Sequence, residues 1–134
     1  MTDSCCSRTE GETLVFTCAG AAYSGQVANR AGVQLMEQGC GSLFCIAAVA
    51  AGITEKIERA RLAVTRVAID GCDDRCVMKT LEKAGLSADV HVVLTEIGIE
   101  KKPAQPSMIS DGKRVVDAVK ARISQRSAES RCCG

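Results

Sequence analysis

Apolar residues in this chain fall in short runs, and each run is followed by a stretch in which they recur every three or four positions. "TLVFT" (Thr13 to Thr17) precedes a pattern with Val27, Ala31 and Leu35 on one helical face. "SLFCIAAVA" (Ser42 to Ala50) precedes one with Ile53, Ile57 and Ala60. "RVAI" (Arg66 to Ile69) precedes a helix bearing Val77, Leu81 and Ala84 and stopped at Gly85. "ADVHVVLTEIG" (Ala88 to Gly98) is followed, after a Pro-containing loop, by a helix with Val115, Val116, Val119 and Ile123 inward. Strands apolar on both faces and separated by helices imply a parallel sheet with both faces covered. Right-handed crossovers then give an α/β fold, a small doubly wound sheet of Rossmann or flavodoxin type with about four strands. The expected strand order is 2-1-3-4.

Composition adds a size and excludes partners. A chain of 134 residues, 46% of them hydrophobic, suits one domain with a real core, placed at residues 12–126. Residues 1–11 and 127–134 are polar, carry the vicinal pairs Cys5-Cys6 and Cys132-Cys133, and are expected to be flexible tails. The formal charge of +1, with 17 basic and 16 acidic residues interspersed, offers no field for nucleic acid or an anionic membrane. The longest apolar run, Leu43 to Ile53, falls short of the roughly 20 residues a spanning helix needs. "MTDSCCSRTEGE" has no basic and apolar signal regions, so a cytoplasmic location is expected.

Nine cysteines then need a chemical account, because a reducing compartment disfavours disulfides and an odd number cannot be fully paired. Cys18 directly follows the first strand, Cys72 closely follows the third, and Cys45 lies in the second apolar run, near its carboxyl end if the strand stops early. The carboxyl edge is where open α/β sheets bind ligands. Adjacent strands lie about 4.8 Å apart, and sulfurs around a tetrahedral zinc are separated by about 3.8 Å. Cys76 joins the set if it sits in the first turn of the next helix, where free N–H groups favour a thiolate. For Cys18 and Cys45 a buried-core role fits as well as a ligand role. Cys72, preceded by glycine at a strand end, is poorly placed for packing.

"CAGAAYSGQVANRAG", "FCIAAVAAG", "AIDGCDDRCVMKTLEKAG" and "LTEIGIEK" together resemble the DGC family of bacterial proteins, named for the triplet Asp70-Gly71-Cys72. The likeness runs from about Leu14 to Ala121. It implies a zinc role for Cys18, Cys45, Cys72 and Cys76. The expected function is therefore binding of zinc or another soft metal ion, for sensing, storage or delivery. The vicinal tail pairs suit capture and hand-over of such an ion by ligand exchange, a reading that stands beside the plainer one that exposed tail cysteines serve no purpose.

Other readings compete. "LVFTCAGAAYSG" is similar to the phosphate-binding loop of low-molecular-weight tyrosine phosphatases and arsenate reductases, with Cys18 as the nucleophile. The arginine that loop requires is replaced by Ser24, and no basic residue lies between Cys18 and Gln26. Four thiolates also suit an iron–sulfur cluster. His91, the single histidine, reads as a hydrogen-bonded structural residue rather than a ligand. Asp70 and Asp73 are candidates to fix the Cys72 loop, with Asp73 equally explained as a first-turn residue complementing the helix dipole. Cys40 falls at the opposite edge and reads as structural, and Lys101-Lys102 reads as a solvated loop pair.

Overall fold

The computed structural model of the chain describes residues 11–103 and 108–132. Strands β1 (Thr13–Thr17), β2 (Ser42–Phe44), β3 (Thr65–Asp70) and β4 (Val90–Val93) form a parallel sheet in the order β2-β1-β3-β4. This is the order expected from the alternation of strands and helices. The chain steps from β1 outward to β2, then crosses to the other side of β1 for β3, so the winding reverses between β1 and β3. All four carboxyl ends therefore face one way.

Helices cover both faces because the strands are apolar on both. Val15, Val67, Ile69 and Val92 pack against α1 (Tyr23–Glu37) and α5 (Met108–Cys132). Leu14, Phe16 and Ala68 pack against α2 (Ile46–Ala50), α3 (Thr54–Leu62) and α4 (Cys76–Lys83). Phe16 meets Phe44 edge to face at 5.5 Å, which fixes β2 against β1. In α5, Val115, Val116, Val119 and Ile123 point inward as their spacing requires.

Four boundaries differ from the sequence reading. Within the run Ala88 to Gly98 only Val90–Val93 is strand, and Leu94–Ile97 forms a short 3-10 helix. The second strand ends at Phe44, and Ile46–Ala50 is helix α2 rather than strand, because an alanine-rich run favours helix once no pairing partner holds it extended. Ile53 lies outside α3 as its N-cap and is exposed, not inward. Helix α5 continues past residue 126 to Cys132. Cys5, Cys6 and Cys133 lie outside the described residues. Among the described residues, no helix is long and apolar enough to cross a membrane.

Candidate functional site

The carboxyl ends of three strands supply the thiols. Cys18 follows β1 without a gap, its amide donating to Ile69 O at 2.9 Å. Cys45 is the residue after β2 and the N-cap of α2. Cys72 lies two residues beyond β3, and Cys76 is the first residue of α4. All four are unpaired, with Cys18 and Cys72 half-buried and Cys45 and Cys76 exposed. Exposure removes the buried-core explanation for Cys45. Cys18 retains a part in packing, since it touches both apolar layers. Its sulfur accepts the Gly20 amide at 3.4 Å. Cys40, by contrast, is 3% exposed and sits before β2 at the opposite edge.

Glycine makes this edge compact. A Cβ on Gly71 would lie 2.8 Å from Gly25 N, and a Cβ on Gly25 would lie 2.7 Å from Gly20 O. The turn after β3, the first turn of α1 and the loop after Cys18 therefore stack backbone on backbone. Only residues without side chains permit that approach. The middle residue of the Asp-Gly-Cys triplet is thus a packing requirement that brings the Cys72 turn over the β1–α1 loop.

Asp70, the first residue of the triplet, is 1% exposed. Its carboxylate accepts the amides of Val77 at 2.8 Å and Met78 at 3.3 Å. It also accepts His91 Nε2 at 2.7 Å. A buried carboxylate needs such partners, and here they are the open amides of α4, whose own N-cap side chain makes no capping bond. Helix α4 is therefore capped from the strand before it. Asp73 does not occupy the first helical turn expected of it: the helix begins only at Cys76, and Asp73 accepts from Thr95 Oγ1 at 3.4 Å. Between them, Arg75 adopts the left-handed conformation at φ 52°. For a residue with a Cβ that geometry costs about 1–2 kcal/mol.

The segment after β4 clasps this turn. Asp73 meets Thr95, Asp74 meets Lys101 at 3.2 Å, and Arg75 meets Glu96 at 3.1 Å. The Lys101 ammonium holds the Asp74 carboxyl below its usual range, helped by a hydrogen bond from the Cys72 thiol at 3.5 Å. Asp74, and after it Cys72, raises the pKa of Lys101 in return. Lys101 and Lys102 are thus not a free solvated pair, for Lys102 Nζ lies 4.7 Å from the centre of the buried Tyr23 ring and its carbonyl accepts the Tyr23 amide. Their partners are 27 or more positions away in sequence, so local reading had no signal for them.

A cleft of about 340 Å³ opens beside Cys45, lined by Thr17, Asn29, Leu43, Phe44 and Ile46 among others. Thiol donors and edge placement suit a soft ion by chemistry. In this conformation, however, no three His, Cys, Asp or Glu side chains among the described residues converge closely enough to hold one.

Comparison with known proteins gives a consistent picture. A family model described as the DGC domain matches residues 14–119. The "Anaerobic and virulence modulator AnvM" of Pseudomonas aeruginosa is 28% identical over 102 residues, which cover 76% of this chain and 78% of that protein. No solved structure matches.

Proposed function

This chain belongs to the DGC domain family, and we propose that it binds a soft metal ion, zinc in the first instance, through Cys18, Cys45, Cys72 and Cys76. The observation that carries this reading is the gathering of four unpaired, solvent-reaching thiols from three strand ends at one edge of the sheet. Thiolates are strong ligands for zinc, which would bring to this edge a positive charge able to hold four of them together. Because no three donors converge in this conformation among the described residues, a closed shell requires the edge to rearrange around the ion. A site that closes on an ion suits sensing or delivery better than a purely structural role. The description of the Pseudomonas relative as a modulator favours the regulatory side of that choice.

The reading is tested by metal analysis and thiol counting on untagged protein purified without oxygen. About one zinc per chain with four protected thiols is expected. Colour characteristic of a cluster would replace zinc by iron–sulfur, and metal-free protein would contradict the proposal.

A second reading, a thiol enzyme with Cys18 as nucleophile, has one structural observation in its favour. Cys18 heads the loop before α1, and its sulfur accepts the Gly20 amide at 3.4 Å, a placement that a nucleophile on such a loop would share. This reading expects rapid alkylation of Cys18 at neutral pH in zinc-loaded protein, whereas metal binding expects protection.

A further inference from the structure

The only histidine of the chain is joined to the thiol edge through Asp70. The backbone of Asp70 is held in β3, opposite Val93 of β4. That leaves two side-chain torsions to decide whether its carboxylate meets α4. His91 bears on them: its side chain is 21% exposed, it stands on the neighbouring strand, and its Nε2 meets Oδ2 at 2.7 Å, the oxygen that also accepts the Met78 amide. Oδ1 is left to the Val77 amide. These two amides belong to the residues immediately after Cys76. The residue before Cys76 is Arg75, in a left-handed conformation, whose carbonyl accepts the Lys79 amide at 2.9 Å and whose amide donates to Cys72 O at 3.1 Å. Cys76 therefore sits between a strained residue and two whose amides are held by Asp70.

We propose that His91 is a positioning residue for the thiol edge: by orienting the buried Asp70 carboxylate onto the amides of Val77 and Met78, it sets the first turn of α4 and the place of Cys76. As a contribution to ion binding this rests on the thiol-edge reading above. As a determinant of the α4 start it does not. His91 touches no ligand sulfur, so it acts through Asp70 alone. The pattern follows the way a hydrogen-bonded outer group orients ligands at other metal sites.

The test uses the full-length protein with His91→Ala and His91→Gln, the latter retaining an N–H donor of similar reach. Amide exchange is measured by NMR in the metal-free state, and cobalt(II) is titrated anaerobically. In His91→Ala, the Val77 and Met78 amides should exchange at least tenfold faster while the amides of β1 and β3 keep their protection. Cobalt affinity should fall about tenfold, with weakened sulfur-to-cobalt absorption. His91→Gln should restore the exchange rates to within about threefold and recover the absorption. Unchanged Val77 and Met78 exchange in a folded His91→Ala protein would overturn the proposal. If His91→Ala does not fold, His91→Phe, which fills the space without a donor, replaces it: wild-type Val77 and Met78 exchange in that folded variant would overturn the proposal equally. Should the wild-type protein bind neither zinc nor cobalt, the thiol-edge reading fails, and the exchange arm still decides the role of His91.

Discussion

The two ends of the sheet are built from different chemistry. At the amino edge, a single guanidinium does most of the joining: Arg66 donates to the carbonyls of Ala60, Arg61 and Ala63 at the end of α3, and to Ser87 O at 2.6 Å. Its amide donates to Asp89, which also pairs with Arg126 of α5. Glu12 pairs with Arg59 across the same end. These are charged groups on unstrained backbone, and the one cysteine described there, Cys40, is buried. The carboxyl edge instead has stacked glycines, a left-handed arginine, a buried carboxylate and four accessible thiols. One end spends its polar groups on closing the scaffold, while the other leaves four thiols accessible and holds one strained residue.

That contrast makes separable predictions, and the largest concerns the thiols. Replacing Cys72 or Cys76 with Ser should drop zinc from about one per chain to background, since a hydroxyl is a far poorer ligand. Neither change should move the melting temperature of metal-free protein by more than a few degrees. Full occupancy in Cys72→Ser would remove that residue from the site.

Next in size is Gly71→Ala. With 2.8 Å between the added carbon and Gly25 N, the turn must shift, and urea unfolding should show a loss of about 1–3 kcal/mol together with weaker zinc binding. Wild-type stability would mean that the glycine stack yields freely.

Arg66→Met sharpens the comparison from the other end. Removing a guanidinium that satisfies four carbonyls should cost about 1–3 kcal/mol in the same unfolding assay while leaving zinc affinity unchanged. A fall in zinc affinity would show that the two edges are coupled through β3.

The smallest effect belongs to Glu12, whose pKa is lowered, chiefly by its hydrogen bond from Arg59. A depressed carboxyl pKa contributes stability above the unfolded value and loses it as pH falls through the folded one. Both groups are largely solvated, so salt screens the pair. Wild type and Glu12→Gln should therefore differ by a barely measurable melting-temperature shift near neutrality, and the curves should merge in acid. A large or salt-insensitive difference would contradict this.

Sequence periodicity was sufficient for the alternation of strands and helices, the parallel sheet it implies and the inward faces of α4 and α5, because burial on both sides of a parallel sheet leaves a local apolar signature. The positions of Cys18 and Cys72 at strand ends, and of Cys76 in the first turn of α4, could be read for the same reason. The partnership of Asp70 with His91 could not. It depends on the register that sets Ala68 beside His91 and brings Asp70 within reach, and register between strands that are distant in sequence leaves no local trace. The clasp of Lys101 on Asp74 was hidden likewise. The early end of β2 was missed because "CIAAVA" is as apolar as a buried strand, and only the missing partner beyond Phe44 decides for helix.

The central claim is that the accessible thiols of the carboxyl edge form the shell of one ion. X-ray absorption at the zinc edge of loaded, full-length protein tests it most directly. The account predicts a first shell of about four sulfurs at about 2.3 Å, reduced by a sulfur in Cys76→Ser if that protein retains any metal. A first shell of oxygen and nitrogen, or the loss of all zinc to a weak chelator, would contradict it.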